Sequence, residues 1–112
     1  MANLIMAPVH GADLTVFAYE DITVSSTSIG GTTSTLAPTT YGPAHRAFIT
    51  IETDSVRWTC DGTTPTASKG HISYAGDGIE IEGIANVAAF RMIRVTTDAT
   101  ARVSYSRFRR GV

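Results

Sequence analysis

Cysteine, lysine and charged residues in general are scarce in this sequence of 112 residues. The single cysteine, Cys60, excludes an internal disulfide and a zinc site built from several thiolates. Charged residues make up 17% of the chain, whereas an average globular protein has about 25%. The surface must therefore be polar through Thr and Ser, or part of it must be covered by a partner.

The net charge and residues 1–19 argue against a nucleic-acid binder, a secreted protein and a membrane protein. A net charge of −1 argues against a nucleic-acid binder, because such proteins gain affinity by neutralising phosphates. Residues 1–19 contain no Lys or Arg and no long apolar run, so we expect neither a signal peptide nor a membrane span. The length fits one domain over residues 1–112.

Apolar and polar residues alternate with the period of two that is typical of β-strands. Short strands that recur about every 8–12 residues predict an all-β domain. This domain is either a single antiparallel β-sandwich or a jelly-roll-like barrel of about seven to eight strands. In the last strand we expect Ala101, Val103 and Tyr105 to face inward. The clearest strands are residues 14–19, 22–25, 47–52, 56–60, 79–82, 89–95 and 101–107.

The connections between these strands carry their own predictions. The Ser-, Thr-, Gly- and Pro-rich residues 25–45 predict a long loop with one short edge strand at residues 34–37. The turn residues 53–55 are so few that strands 47–52 and 56–60 should form an antiparallel hairpin. A single short helical turn is expected near residues 83–88.

Candidate catalytic and metal-binding residues are isolated in the sequence. Cys60 could pair with His45 or His71 as a nucleophile and base, but no flanking motif accompanies it, and a free cysteine at a strand end is more often a small buried hydrophobe. The histidines lack a second ligand at metal-binding spacing. Glu80 and Glu82 fall on the polar side of an alternating strand, which favours a solvated face over an acid/base pair. We therefore predict no enzyme activity, no cofactor and no metal.

Three aromatic residues offer a different reading. Tyr41, Trp58 and Tyr74 could form a platform on which a sugar stacks, although core packing of Trp58 and rim positions of the two tyrosines are the favoured interpretation.

Residues 61–70 predict a rigid corner between two strands. Gly62 tolerates a positive φ, and the carboxylate of Asp61 can accept a hydrogen bond from a backbone N–H two residues on. Thr63 offers further side-chain hydrogen bonds to the backbone, and Pro65 fixes the direction in which the chain leaves the turn. Gly70, like Gly62, can adopt a positive φ before the next strand.

The segment from Arg57 onward contains, in order, an Arg-aromatic strand, a DGT-x-PT turn, a Gly-Asp turn, a strand with F-R-x-I and a closing V-x-Y strand. This series resembles the pattern of a family of small structural proteins of tailed bacteriophages. The same turn also occurs in C-terminal β-modules of chitobiase-like glycosidases, where it is again structural. The matching residues are Arg57, Asp61, Gly62, Thr63, Pro65, Thr66, Gly70, Gly76, Asp77, Phe90, Arg91, Ile93, Val103 and Tyr105.

The resemblance implies a virion component, assembled in the host cytoplasm, with a β-sandwich fold and no enzymatic activity. We expect a capsid decoration or cement protein that binds the major capsid protein and copies of itself, with a trimer as the expected oligomer. Residues 1–12 would form an N-terminal arm and residues 107–112 a C-terminal arm, or else a solvated tail. The alternative is a tail or fibre protein that binds a host glycan. The expected partner contacts are Leu4, Ile5, Met6, Arg107, Arg109 and Arg110.

Overall fold

The computed structural model describes residues 14–40 and 42–108, which form two antiparallel sheets. Elements follow in the order β1 (Leu14–Val24), α1 (Thr33–Leu36), β2 (Arg46–Glu52), β3 (Val56–Thr59), β4 (His71–Ser73), β5 (Gly78–Glu82), α2 (Ile84–Ala89), β6 (Arg91–Arg94) and β7 (Ala99–Phe108). One sheet has the strand order β1-β7-β2-β5 and the other β4-β3-β6. The predicted all-β sandwich of seven to eight strands is confirmed.

The core lies between the two sheets and is filled mainly by alternate residues of β2, β5 and β7. As expected, Ala101, Val103 and Tyr105 of β7 are fully buried. They share one apolar cluster with residues of the other sheet, including Val56 and Met92. Because removing one large aliphatic side chain from water contributes about 1.5–3 kcal/mol, this alternation holds the two layers together.

The first strand is one long element where the sequence pattern indicates two. β1 pairs with β7 along its whole length, and its register shifts between Val16 and Ala18, which marks a β-bulge. The polar residues Tyr19, Glu20 and Asp21 interrupt the apolar pattern without ending the strand. They continue it because Glu20 bonds the buried Tyr105 and Asp21 bonds an arginine on β7.

The predicted hairpin between β2 and β3 is wrong. β2 pairs with β5 and β7, whereas β3 pairs with β4 and β6, so residues 53–55 carry the chain from one sheet to the other. Thr53 turns the chain with a φ of 83°. The carboxylate of Asp54 then accepts hydrogen bonds from the N–H groups of Ser55 at 2.7 Å and Thr97 at 3.0 Å. A connection that crosses between sheets needs as few residues as a hairpin turn. The length of residues 53–55 therefore could not distinguish a crossing from a hairpin.

The edge strand predicted at residues 34–37 is also wrong, because α1 occupies this position. Its turn is closed by the N–H of Leu36 donating to Thr32 at 2.9 Å, and it places the Leu36 side chain in the core. The helical turn expected near residues 83–88 is confirmed as α2. Because α2 extends to Ala89, the strand predicted from that residue begins at Arg91.

The outer edge of β6 is covered by the segment that follows β1. Ile29 and Met92 exchange backbone hydrogen bonds of 2.8 and 2.7 Å, and the N–H of Arg94 donates to Ser25 at 3.0 Å. Arg91 adds side-chain bonds to the carbonyl and hydroxyl of Ser28 at 3.1 and 3.2 Å. Neither helix in the described part of the chain is long and apolar enough to cross a membrane.

Candidate functional site

The predicted corner is held by hydrogen bonds within its own residues and from the end of β3. The N–H of Thr63 donates to Asp61 Oδ1 at 2.9 Å, and the hydroxyl of Thr59 donates to the carbonyl of Thr63. Gly62 has a φ of 92°, as the turn requires. The bond from Thr63 lowers the pKa of Asp61 below its ordinary value, since it stabilises the carboxylate form.

Arg57 closes the other side of the corner. Its Nε donates to the carbonyl of Ala67 at 3.2 Å, and its Nη1 donates to the carbonyl of Gly70 at 3.0 Å. Pro65 is fully buried, and a Cβ at Gly70 would lie 3.3 Å from the Pro65 Cβ and 3.2 Å from the Trp58 carbonyl oxygen. The corner is therefore packed against β3 as well as bonded to it. Arg57 is part of the sequence pattern, but its bonds to Ala67 and Gly70 do not follow from that pattern.

Trp58 is half-buried and joins β3 to β4. Its indole N–H donates to the hydroxyl of Ser73 at 3.0 Å, and its ring lies 4.8 Å from the ring of His71. The interpretation of Trp58 as a packing residue fits these contacts. Of the other two rings proposed for sugar stacking, Tyr74 is 57% exposed, and Tyr41 lies outside the described residues.

Cys60 and His71 line one shallow cavity of about 310 Å³, together with Thr59, Asp61 and Thr63. Cys60 is a half-buried free thiol that packs against the core, and His71 is exposed. The pairing considered from the sequence thus has its two members at one cavity wall. Among residues 14–40 and 42–108, no group of three or more His, Cys, Asp and Glu side chains is placed to hold a metal ion.

A second cavity of about 170 Å³ lies where β2 begins and β5 and β7 end, and its lining includes His45, Arg46, Glu82 and Phe108. His45 Nδ1 accepts the backbone N–H of Phe108 at 2.9 Å, and the two rings lie 5.2 Å apart. The guanidinium of Arg46 lies 2.8 Å from Glu82 and 3.3 Å from Glu80. Glu80 and Glu82 are exposed, as predicted, and both pair with the same arginine.

The outward face of the four-stranded sheet carries a cross-strand ion-pair group centred on Arg102. Arg102 of β7 donates to Glu52 on one neighbouring strand at 2.9 Å and to Asp21 on the other at 3.0 Å. The bond to Glu52 and a contact with Tyr19 raise the pKa of Arg102 above its ordinary value. This arginine links three strands, and exposed ion pairs of this kind add little to stability.

Two exposed aromatic rings lie on the same face in one cross-strand row. Tyr19 and Phe48 are both register partners of Ser104, on opposite sides of β7. They are 54% and 48% exposed. Neighbouring strands lie about 4.8 Å apart, so the small Ser104 separates two rings whose backbones are about 10 Å apart. Sequence reasoning missed this row, because the partners of a strand are set by the sheet order and not by spacing along the chain.

Most of the expected partner contacts lie outside the residues that the structure describes. Leu4, Ile5, Met6, Arg109 and Arg110 lie outside the described residues. Arg107 belongs to β7, where it is the register partner of Thr15.

Comparisons of the chain with family models, with curated proteins and with solved structures found no match.

Proposed function

We propose that this chain is a non-enzymatic structural protein of a tailed-phage virion, and specifically a capsid decoration protein that binds the lattice of the major capsid protein and stabilises the head. The observation that carries the proposal is the corner of residues 61–70, together with Arg57 of β3, which closes it. Its sequence resembles the phage family, and Asp61, Gly62 and Pro65 of the pattern each help to form or pack the turn. A protein whose most distinctive motif builds a rigid corner is suited to bear load.

The two arginines of the pattern support this interpretation. Arg57 bonds two carbonyls of the corner, and Arg91 bonds the carbonyl and hydroxyl of Ser28. Both guanidinium groups are used to fasten loops to the three-stranded sheet. Arginine suits this task because its planar fork presents several donors in fixed directions.

In this proposal the copies bind the capsid shell and each other, as a homo-oligomer for which the sequence suggests a trimer. Leu4, Ile5 and Met6 would bury apolar surface against the shell, and Arg107, Arg109 and Arg110 would pair with its carboxylates. Binding to the folded shell then stabilises the assembled particle by mass action. The site of action is the virion, after assembly in the host cytoplasm.

The test is reconstitution on capsids that lack the protein, with occupancy measured by electron microscopy and head stability by the temperature of DNA release. We expect saturable binding and a higher release temperature. Deleting residues 2–12 or 109–112 should lower occupancy, and the control Lys69→Ala, on an exposed part of the corner, should not. Absence from the particle, or an unchanged release temperature at full occupancy, would refute the decoration role.

A second candidate function is glycan binding by a tail or fibre component, and the row formed by Tyr19, Ser104 and Phe48 favours it. Aromatic rings on a flat sheet offer apolar faces on which sugar rings can stack, and Ser104 offers a hydroxyl between them. Glycan-array binding that is lost in Phe48→Ala and kept in the control Ile84→Ala would support this candidate. Equal binding by both variants, or no binding at all, would dismiss it.

A further inference from the structure

One hydrogen bond at the end of the larger sheet depends on the protonation state of a histidine. The N–H of Phe108, the last residue of β7, donates to His45 Nδ1 at 2.9 Å. A ring nitrogen accepts a hydrogen bond only while it carries no proton. The bond therefore requires the neutral form of the His45 ring, with its proton on Nε2.

The His45 ring holds the end of β7 where the register of β7 with β2 stops. This register ends at the pair of Ser106 and Arg46. His45 is itself fixed by its backbone, because its N–H donates to the carbonyl of Ser106 at 2.8 Å and its carbonyl accepts the N–H of Gly83 at 2.7 Å. The ring therefore reaches from an anchored residue to the N–H of Phe108, beyond the last register pair.

The same strand end is where β1 and β7 begin to separate. Phe108 is the register partner of Leu14, the first residue of β1. The rings of His45 and Phe108 also lie 5.2 Å apart. The ends of strands open at the lowest free-energy cost in a folded domain, so a change at His45 acts on a part of the sheet that opens easily. Both segments proposed as arms, residues 1–12 and 107–112, adjoin this end of the sheet.

We propose that His45 is an acid-sensitive switch, whose protonation releases the end of β7 from β2. When Nδ1 takes up a proton from water, its lone pair is no longer available, and two N–H donors face each other where a donor faced an acceptor. The strand end can move away without opening the core, because the Phe108 side chain is 45% exposed. The switch does not depend on the proposed role in a virion.

The elements packed around His45 bring charges of both signs. From β2 and β5, Arg46 and Glu82 line the same cavity as His45, and Arg46 pairs with Glu82 at 2.8 Å and with Glu80 at 3.3 Å. From β7 the neighbouring charge is Arg107, whereas the start of β1 and all of α2 carry no charge. A proton on His45 therefore adds positive charge where both carboxylates already pair with an arginine. Opening of the strand end lets water solvate the imidazolium.

Nuclear magnetic resonance of the nitrogen-15-labelled full chain tests the switch between pH 8 and pH 5, the range in which histidine ordinarily changes charge. At pH 8 we expect a scalar coupling across the hydrogen bond between the Phe108 amide nitrogen and His45 Nδ1, and at pH 5 we expect none. Protection of the Phe108 amide against hydrogen exchange, corrected for the intrinsic effect of pH, should fall at least about fivefold, which corresponds to one net hydrogen bond. The Met92 amide, which donates to Ile29 at 2.7 Å, should keep its protection.

Two substitutions separate the switch from a general effect of acid. His45→Asn places an acceptor oxygen as many bonds from Cα as Nδ1, and it does not titrate, so protection of the Phe108 amide should no longer depend on pH. The control His71→Asn replaces the other histidine of the described residues and should leave the pH dependence of the parent unchanged. A coupling that persists while the ring is doubly protonated, an equal loss of protection at Met92, or an equal pH dependence in His45→Asn would overturn the proposal.

Discussion

The hydroxyl of Tyr105 donates a 2.6 Å hydrogen bond to the carboxylate of Glu20, across two neighbouring strands of the larger sheet. The same carboxylate accepts the N–H of Thr32 at 2.9 Å and the hydroxyl of Thr32 at 2.7 Å. Glu20 thus connects β1, β7 and the loop before α1. The buried tyrosine ring is satisfied at its polar end, and the loop that closes this side of the sandwich is fixed by the same group.

Removing either partner should destabilise the fold to different extents. Tyr105→Phe removes one hydrogen bond and leaves Glu20 with its two bonds to Thr32, so we expect a loss of about 1 kcal/mol. Glu20→Ala leaves a buried hydroxyl and an N–H without their acceptor, so we expect about 1–3 kcal/mol. Urea denaturation of both variants and of the double variant measures the free energies of unfolding. Additive losses would show that the two residues are not coupled.

The same pair predicts a loss of stability in alkali. Burial, with a smaller contribution from Glu20, raises the pKa of Tyr105 far above its ordinary value. An unfolded tyrosine ionises near pH 10, so above that pH the unfolded chain binds fewer protons than the folded one, and stability falls as pH rises. Below pH 10 this contribution is fully present. Tyr105→Phe should therefore show a shallower decline of the free energy of unfolding between pH 9 and 11 than the parent chain, and equal slopes would contradict the assignment.

Gly31 is required by its distance from the Tyr105 hydroxyl. A Cβ at this position would lie 2.3 Å from that oxygen and 2.7 Å from the Leu36 Cδ2. Gly31→Ala should cost about 1–3 kcal/mol, the range for overpacking a filled site. In a Tyr105→Phe background the oxygen is gone, so the same substitution should cost less. An equal cost in both backgrounds would show that the hydroxyl is not what excludes the methyl group.

Much of the fold could be predicted from local patterns. The inward positions of β7 follow from alternation, and the turn at Asp61 and Gly62 follows from residue chemistry, because both depend on neighbours along the chain. The hairpin predicted between β2 and β3 failed for a different reason. Whether a short connection turns back in its own sheet or crosses to the other depends on which strands pair, and this is a property of the whole fold.

The candidate site shows the same division. The bonds of Asp61 and the exposure of Glu80 and Glu82 were predicted correctly, since each depends on one strand or turn. The partners of Arg57, the contacts of Glu20 and the row formed by Tyr19, Ser104 and Phe48 were missed. Glu20 and Tyr105 are 85 residues apart, and no spacing rule connects them.

The two glycines of the corner should respond differently to alanine. Both have positive φ, at 92° for Gly62 and 126° for Gly70, but a Cβ at Gly62 would have no atom within 4 Å, while one at Gly70 would meet Trp58 and Pro65. We expect Gly62→Ala to cost about 1–2 kcal/mol from backbone strain alone and Gly70→Ala to cost more, because crowding adds to the strain. Thermal unfolding of both variants gives the comparison. A larger loss for Gly62→Ala would mean that packing at the corner is loose.

The crossing that replaces the predicted hairpin predicts an acid-dependent contribution to stability. Hydrogen bonds to Asp54, first from the Thr97 hydroxyl and then from the N–H groups of Ser55 and Thr97, lower its pKa below the ordinary value. The unfolded residue takes up a proton near pH 4. The contribution of Asp54 is therefore present above that pH and is lost as the pH falls from there through the lower pKa of the folded state.

Asp54→Asn keeps the shape of the side chain but replaces one acceptor oxygen with an amide that cannot accept these bonds. We expect the variant to be less stable than the parent at pH 7, and the difference in free energy of unfolding to shrink as the pH falls below 4, because the parent then loses its carboxylate as well. Thr97→Val removes the hydroxyl donor and keeps the backbone N–H, so its effect should be smaller in the Asp54→Asn background. Asp54 lies in the connection between β2 and β3, and Thr97 lies in the connection between β6 and β7. If the difference in free energy of unfolding between parent and Asp54→Asn stays constant from pH 7 to pH 3, the charge of Asp54 does not hold these two connections together.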